Sequence, residues 1–192
     1  KVFINGKRAL LGSKVTENDK VEVRGVKENK DFIYYAYYKP VGIETPDISV
    51  NDVFPVGRLD KNSHGLIILT NDGRITDKLL NPKYFHEKEY VVKTSKKLRA
   101  NFKQKMEAGV QIENDKTKPC KVEILNENTF KIILTEGKKH QIRRMCSALF
   151  QEVVDLKRIK IMNIKLGNAK PKNLREIKGK ELETFLHSLG IK

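Results

Sequence analysis

Residues 54–73 read Phe-Pro-Val-Gly-Arg-Leu-Asp-Lys-Asn-Ser-His-Gly-Leu-Ile-Ile-Leu-Thr-Asn-Asp-Gly. The unbroken apolar run at residues 66–69 has glycine on one side and Asn-Asp-Gly shortly after it on the other. A short apolar run between turn residues is typical of a buried strand, and Asp-Gly supplies the backbone angles that a tight turn needs. The stretch therefore predicts a polar loop, a buried strand and a turn, in that order.

The loop before this strand carries one acid among basic residues. Asp60 is the only carboxylate between Asp52 and Asp72, and it lies between Arg58 and Lys61. Neighbouring positive charge favours an ionised carboxylate, and an ionised aspartate on a loop before a rigid strand can act as a nucleophile. A turn aspartate or a helix N-cap is the alternative, which local chemistry alone favours.

The charge of the chain points to a polyanionic partner. There are 39 lysines and arginines against 24 aspartates and glutamates, a net charge of +15, and nucleic acid is the commonest partner of such a surplus. A generally basic surface is the alternative. No apolar run approaches the roughly 20 residues that a membrane-spanning helix needs. The two cysteines do not have the Cys-x-x-Cys spacing of a zinc site.

Two more segments have strand character. Residues 32–38 are aromatic and β-prone, and they end at a Lys-Pro-Val-Gly turn. Residues 86–94 alternate, are rich in β-branched side chains and contain Tyr90. About thirty residues separate Asp60 from Tyr90, enough for a strand, a turn, a short helix and a return strand that brings the two together. A half-buried strand tyrosine is the alternative.

A basic helix follows a glycine loop near residue 137. Four apolar residues recur at the helical spacing i, i+3, i+4 and i+7, namely Ile142, Met145, Cys146 and Leu149. Arg143 and Arg144 lie off this stripe, at about 100° and 200° around the helix from Ile142. The first turn of such a helix also offers free N–H groups to a phosphate. A further amphipathic helix is predicted over residues 97–108 and a closing helix around residues 182–189.

Four short patterns together resemble one enzyme family. Lys-Pro-x-Gly, Gly-Arg-Leu-Asp, Lys-x-Tyr and Gln-Ile-Arg-Arg-Met occur in this order at residues 39–42, 57–60, 88–90 and 141–145. They resemble the motifs of the pseudouridine synthases of the RsuA/RluB/RluE/RluF family, which modify ribosomal RNA. The resemblance spans almost the whole chain. The wording His-Glu-Lys-Glu-Tyr at residues 86–90 is most similar to RluF-type members, which favours 23S rRNA and leaves tRNA open as a further substrate.

The resemblance implies a fold and a reaction. The fold is α+β, with a mostly antiparallel mixed sheet, flanking helices and an RNA-binding cleft, in a catalytic domain over residues 29–192. The reaction is the isomerisation of a uridine within RNA to pseudouridine, by an isomerase of the intramolecular transferase type. No cofactor and no metal are needed.

The resemblance also assigns roles to residues. Asp60 is the catalytic aspartate, either as nucleophile or as the base that removes a sugar proton. Tyr90 packs against the target base, and Arg143 pairs directly with Asp60 while Arg144 points elsewhere. The basic residues expected to contact RNA are Arg58, Lys61, Lys39, Lys139, His140, Arg144, Lys157 and Arg158.

The first residues resemble a separate RNA-binding unit. Residues 1–28 look like the second half of an S4 domain, with a turn at Asn5-Gly6, and the polar residues 24–31 are the best candidate for a linker. The two basic helices with which an S4 domain begins are absent from this sequence, so we expect that it starts inside that domain. A small hairpin that caps the main domain is the alternative.

Three functions compete at this stage. The first is an active rRNA pseudouridine synthase, a monomer that acts in the cytoplasm without a membrane partner. The second is an RNA-binding ribosome-assembly module with weak or lost catalysis. The third, a basic protein-interaction domain, leaves the four clustered motifs unexplained.

Overall fold

The chain divides into two compact units. The computed structural model describes residues 2–10, 13–23, 31–48, 50 and 52–191, and the units are Lys1–Asp31 and Phe32–Lys192. The domain boundary predicted between residues 28 and 29, and most of the predicted linker, lie outside the described residues.

The first unit is a small antiparallel sheet. Its strands, in the order β2-β1-β3, are β1 (Val2–Ile4), β2 (Lys7–Arg8) and β3 (Val21–Val23). The β1–β2 turn places Asn5 at φ 49° and Gly6 at φ 79°. Two positive φ angles in succession are what a two-residue hairpin turn requires, so the Asn-Gly pair dictates this turn. The likeness of the unit to part of an S4 domain stays a prediction.

The second unit is built on a mixed, mostly antiparallel sheet. Among the described residues nine strands join it, with the main order β10-β11-β7-β12-β6-β4-β14, while β5 pairs with β6 and β13 with β12. All the pairs are antiparallel except β12 with β6. The strands are β4 (Tyr34–Lys39), β5 (Phe54–Val56), β6 (His64–Thr70), β7 (Lys88–Thr94), β10 (Lys121–Asn126), β11 (Thr129–Leu134), β12 (Val153–Ile161), β13 (Ile164–Lys165) and β14 (Leu174–Glu176).

Helices flank this sheet, so the predicted α+β class is confirmed. The helices are α1 (Ile75–Leu80), α2 (Phe102–Glu107), α3 (Gln141–Ala148) and α4 (Gly179–Ser188). A separate ribbon is formed by β8 (Gln111–Ile112) and β9 (Asp115–Lys116), and short 3-10 helices cover Thr45–Asp47 and Pro82–Tyr84. Within the described ranges, no helix has the length and apolar character required to cross a membrane.

Two apolar clusters hold the helices on the sheet. The first cluster joins α2 and α3 to the strands through Val92, Phe102, Met106, Phe130, Ile132, Ile142, Met145, Cys146 and Leu156. The second cluster joins α1 and α4 to the strands through Tyr38, Val56, Leu66, Ile68, Ile75, Leu79, Phe185 and Leu189. Burial of the apolar stripe predicted for α3 is thereby confirmed, except that Leu149 is only partly buried.

The predicted start of α2 at residue 97 is wrong, because α2 begins at Phe102. The backbone N–H of Leu98 donates to the Glu127 carbonyl at 2.7 Å, and that of Phe102 donates to Arg99 at 2.9 Å. The segment before the helix is therefore tied to the β10–β11 connection. A tertiary hydrogen bond overrides the helical spacing of Leu98.

Strand β6 is held close to β12 by a glycine. Gly65 has φ +108°, and a Cβ at this position would lie 2.3 Å from the carbonyl oxygen of Arg158 and 2.8 Å from its nitrogen. We expect Gly65→Ala to destabilise the protein by about 3 kcal/mol or more, because both the backbone angle and the clash oppose it. Urea unfolding measures this change.

Gly73→Ala is the matched control. Nothing lies within 4 Å of the Cβ that it adds, and Gly73 has no positive φ. Its free energy of unfolding should stay within about 1 kcal/mol of the parent. Equal effects of the two substitutions would show that the approach of β6 to β12 does not depend on Gly65.

Candidate active site

A cleft of about 560 Å³ lies beside the loop that joins β5 to β6. Its apolar lining comes from both clusters, since Val56 and Leu79 belong to the second and Ile142 and Leu156 to the first. The rest of the lining is rich in bases. The polar and charged residues that line the cleft are Arg58, Asp60, Ser63, Lys88, Tyr90, Glu136, Lys138, Lys139, His140, Gln141 and Arg158.

The backbone of the Asp60 loop is fixed by hydrogen bonds on both sides of the aspartate. The Thr45 hydroxyl donates to the Leu59 carbonyl at 2.8 Å and accepts from the Leu59 N–H at 3.0 Å. The Lys61 carbonyl accepts from the Gly42 N–H at 2.8 Å, and the Asp60 carbonyl from the Ser63 N–H at 2.9 Å. These contacts fix the position from which the Asp60 side chain enters the cleft.

Asp60 is the available carboxylate of the cleft. Its Oδ1 lies 3.3 Å from the His140 Nε2, and both side chains are partly exposed. Glu136, the other carboxylate in the lining, is buried, and its Oε1 accepts from the Lys118 N–H at 2.9 Å and from the Gln141 amide at 2.8 Å. Glu136 therefore shapes the loop before α3, whereas Asp60 remains accessible to a substrate.

Strand β7 contributes two residues to the cleft. Lys88 and Tyr90 alternate along β7 and are both buried, as expected for positions i and i+2 on one face of a strand. Tyr90 pairs with Arg158 of β12, and Arg158 pairs on its other side with Gly65 of β6. One row across the sheet thus brings Tyr90 and Arg158 together under the Asp60 loop.

Two buried cations lie in the cleft. The Arg158 guanidinium donates from Nε to the Leu66 carbonyl at 2.6 Å and from Nη1 to the Arg58 carbonyl at 3.4 Å, while Nη2 has no partner among the described residues. Burial, with a further contribution from the Arg158 charge, lowers the pKa of Lys88 to about 8. Such cations favour an anion, or negative charge that develops during a reaction.

The predicted ion pair between Arg143 and Asp60 is wrong for this structure. The Arg143 guanidinium donates instead to two carbonyls, from Nη1 to Val153 at 2.9 Å and from Nη2 to Asn62 at 2.8 Å. Asn62 belongs to the Asp60 loop and Val153 begins β12. Arg143 therefore ties α3, the loop and the sheet together, and reaches Asp60 through the backbone.

Arg144 lies away from Asp60, as expected from the helix geometry. Its Nη2 is 2.8 Å from the Glu113 carboxylate, and its Nη1 donates to the Lys139 carbonyl at 3.3 Å. Neighbouring helix positions diverge by about 100°, so the two arginines address different groups. The structure does not place either of them in the cleft lining.

The other residues expected to contact RNA divide into two groups. Arg58, Lys139, His140 and Arg158 line the cleft, although Arg158 is buried. Lys61 is exposed outside the lining, 4.0 Å from Glu44, and the Lys157 ammonium lies 5.3 Å from the centre of the Tyr38 ring.

The prediction that Lys39 contacts RNA is wrong for this structure, because Lys39 is fully buried. Its ammonium donates to the carbonyls of Pro40 at 2.9 Å and Ile43 at 2.6 Å, so it stabilises its own turn and offers no surface to RNA. Burial lowers the pKa of Lys39, while the nearby Asp60 charge opposes that shift. Its contribution to the site is therefore electrostatic and structural.

Three residues of the site were missed. Lys88 could have been found, since it lies two positions before Tyr90 in a strand and must share its face. Gln141 could have been found too, since its partners Glu136 and Lys138 lie within five residues of it. Thr45 could not, because its hydrogen bonds to Leu59 join segments that the sequence does not place side by side.

The fold and the cleft define an RNA-modifying enzyme of the pseudouridine synthase class, and comparison with known proteins agrees. Residues 33–148 match the RNA pseudouridylate synthase family. The chain is 41% identical over 197 residues to the dual-specificity RNA pseudouridine synthase RluF of Escherichia coli (strain K12), a match that covers 94% of this chain and 68% of RluF. It is 34% identical over 205 residues to the ribosomal large subunit pseudouridine synthase B of Bacillus subtilis (strain 168), covering 93% and 84%.

Solved structures agree with this result. A crystal structure of a pseudouridylate synthase superposes with a TM-score of 0.78 at 26% identity, over 98% of this chain and 88% of that one. An archaeal box H/ACA Nop10-Cbf5 complex shares the fold, with a TM-score of 0.52 at 14% identity over 69% of this chain and 48% of that one. The chain belongs to the RNA pseudouridine synthase family, in the group that contains RluF and RluB, and is an isomerase that acts on RNA.

Arg143 should act on turnover through the position of the Asp60 loop. Arg143→Ala removes both carbonyl contacts, and a catalytic group displaced by about 1 Å can cost about 100-fold in rate. We expect turnover to fall by about 10- to 100-fold, with a smaller change in RNA affinity, and Arg143→Lys to recover part of the rate. Single-turnover kinetics and RNA-binding titrations separate the two effects.

Arg144→Ala is the control for this experiment. Its partner Glu113 is largely exposed, and an exposed ion pair contributes only about 0–1 kcal/mol. Its turnover should change only a few-fold. An equal loss of turnover in both variants would contradict the positioning role of Arg143.

Lys88 should lower the stability of the folded protein and, at the same time, support turnover. Because its pKa in the folded protein is about 8 against an ordinary 10.5, the charged form opposes folding by about 3 kcal/mol near neutral pH. Between these two values the unfolded chain binds the proton and the folded chain does not, so stability should rise with pH. We expect Lys88→Met to be more stable than the parent at neutral pH, and to turn over RNA more slowly.

Urea unfolding below pH 8 and near pH 10 tests this expectation, because the Met variant lacks the titrating group. The gap in stability between parent and variant should close as the pH rises. A variant that is less stable than the parent at neutral pH, or a gap that does not change with pH, would show that Lys88 is not held as a costly buried charge.

Proposed function

We propose that this chain converts a uridine of ribosomal RNA into pseudouridine, with Asp60 as the catalytic aspartate. The observation that carries the proposal is the contrast between the two carboxylates of the cleft. Glu136 is buried and accepts hydrogen bonds from the Lys118 N–H and the Gln141 amide, whereas Asp60 is partly exposed and, among the described residues, has an ion-pair contact only with His140. An ionised and accessible carboxylate in a basic cleft is what chemistry at a ribose requires.

The reaction balances within the substrate. The bond between uracil N1 and ribose C1′ breaks, the uracil turns in the cleft, and a bond forms between C5 and C1′. The C5 proton leaves to water and N1 gains a proton, so no oxidant or reductant is involved. Asp60 either adds to the ribose or removes a proton from it, and both routes need an ionised carboxylate at the sugar.

The target base must leave the RNA stack to reach this site. Flipping a nucleotide costs a few kcal/mol, which contacts in the pocket offset. A volume of about 560 Å³ is of the size that small-molecule sites have. Tyr90 supplies a ring against which uracil can pack, while Lys88 and Arg158 supply positive charge for a uracil that becomes negative as the bond to C1′ breaks.

The relatives suggest the kind of RNA. One is named a ribosomal large subunit pseudouridine synthase, and the other is described as dual-specific. We therefore favour large-subunit rRNA as a substrate, and the resemblance of residues 86–90 to RluF-type members leaves tRNA open as a second one. The proposal includes action as a monomer in the cytoplasm, and RNA binding by the first unit if it is part of an S4 domain.

Asp60→Asn should abolish turnover and leave RNA binding intact. The substitution preserves shape and the backbone contacts of the loop but removes the negative charge. We expect the release of tritium from C5-labelled uridine RNA to fall by at least about 1,000-fold, since loss of a catalytic nucleophile has effects of this size or larger.

RNA affinity and its dependence on salt serve as the control, because they report the basic surface. The slope of log affinity against log salt should be equal in parent and variant, at about 0.7 per phosphate contact on a single strand. Tritium release by Asp60→Asn at the parent rate would overturn the assignment of Asp60.

A further inference from the structure

A group of aromatic rings and lysines lies at one side of the cleft, and we name it the aromatic–lysine patch. Its members are Lys78, Lys83, Tyr84, Phe85, His86 and Lys118. Two connections place it beside the cleft. In the chain it lies among the cleft residues Leu79, Leu80 and Lys88, and the Lys118 N–H donates to Glu136, a further cleft residue.

Phe85 is the most exposed ring of the patch. It is 60% exposed even though the Lys118 ammonium lies 4.3 Å from the ring centre. Its backbone has φ +56°, a left-handed conformation that is uncommon for a bulky residue. The turn before it is held by the Asn81 side chain, which accepts from the Lys83 N–H at 3.1 Å. The fold therefore keeps an aromatic ring in solvent at a conformational cost.

Tyr84 and His86 form a second aromatic group in the patch, which also has lysines beside it. The Tyr84 and His86 rings stack with their centres 6.0 Å apart and their planes within 22°. The ammonium groups of Lys83 and Lys78 lie 4.8 and 5.5 Å from the centre of the Tyr84 ring. The exposed Phe85 ring and the partly exposed Tyr84 ring thus each have at least one lysine ammonium beside them.

This combination fits a single strand of nucleic acid. Bases stack on aromatic rings, and lysines beside those rings contact the phosphates between the bases. The neighbouring carboxylates are Asp77, which accepts from the Asn81 amide at 3.0 Å, and the exposed Glu87. Because the patch adjoins cleft residues along the chain and through the hydrogen bond from Lys118 to Glu136, a strand that delivers a nucleotide to Asp60 can extend onto it.

We infer that the aromatic–lysine patch binds the single-stranded RNA next to the target uridine, with a base stacked on Phe85. The inference rests on the proposed function, because it takes the cleft as the place of the flipped uridine. Apart from His86, which begins the motif at residues 86–90, no residue of the patch was used to assign that function. The patch would contribute affinity and hold the strand while the uridine is out of the stack.

The test compares two probes on the whole chain. The long probe is an unstructured RNA of about 12 nucleotides, adenines and cytidines with one central uridine, a length within the range that single-strand grooves cover. The short probe is the central nucleotide alone, uridine 5′-monophosphate, which enters the cleft and lacks the neighbouring nucleotides that the patch would bind. Fluorescence anisotropy gives the affinity for the long probe, and competition against it gives the affinity for the short one.

Phe85→Ala should weaken binding of the long probe by roughly 5- to 100-fold, the effect of losing one stacked base, and leave the short probe unchanged. Phe85→Leu keeps an apolar side chain without a ring and should show the same loss. Lys118→Gln should weaken the long probe less and reduce its salt slope by about 0.7. Circular dichroism and thermal melting check that each variant folds. Because Phe85 is exposed, we expect its substitution to leave folding intact.

Phe150→Ala is the matched control. Phe150 is also exposed, at 75%, has φ +60° and lies 5.0 Å from the Arg99 guanidinium. It follows the end of α3, about 12 Å along that helix from the cleft residue Gln141. Its loss should leave both probes and the rate of tritium release unchanged.

The outcomes separate this inference from the proposed function. If the parent chain binds the long probe and releases tritium from RNA, and Phe85→Ala binds that probe as the parent does, the patch has no role in RNA binding and the inference falls alone. Equal losses from Phe85→Ala and Phe150→Ala would overturn it too. A parent chain that neither binds RNA nor releases tritium would overturn both.

Discussion

The contact between β6 and β12 is the constraint on which the site depends. These two strands form the parallel pair of the described sheet, and Gly65 allows them to approach until no Cβ fits between them. Arg158 then reaches the carbonyls of Leu66 and Arg58 from β12, which connects the sheet with the first part of the Asp60 loop. Arg143 makes the matching connection from α3 to the last part of that loop. The loop is thus held at both ends by arginines that bind backbone.

The charges of the cleft show a division between stability and function. Lys88 and Arg158 are buried, and the pKa of Lys88 lies well below its usual value because burial disfavours its charge. An apolar residue would pack at such a position without this cost. A fold that retains the cations gains an interior in which negative charge on a substrate is stabilised by groups that are already in place. The cost in folding is the reason to expect them to act in the reaction.

Much of the fold could be predicted because periodicity and turn chemistry determine it locally. The run at residues 66–69 became the centre of β6, and the stripe of Ile142, Met145 and Cys146 became the buried face of α3. The start of α2 could not be predicted, since a hydrogen bond from Leu98 to the β10–β11 connection decides it. The prediction that Lys39 is exposed to RNA was wrong for a related reason. A lysine before a Pro-Val-Gly turn is usually exposed, and only the folded turn provides the carbonyls that bind the buried ammonium.

A sequence motif did not predict which atoms Arg143 binds. The helix geometry correctly required that Arg143 and Arg144 address different groups, and a motif can mark Arg143 as important. Neither observation names the atoms that the guanidinium binds, because a planar group with five donors satisfies two carbonyls as readily as one carboxylate. In this structure the carbonyls of Asn62 and Val153 occupy it. Asp60 keeps its contact with His140, and the arginine holds the backbone of the loop that carries the aspartate.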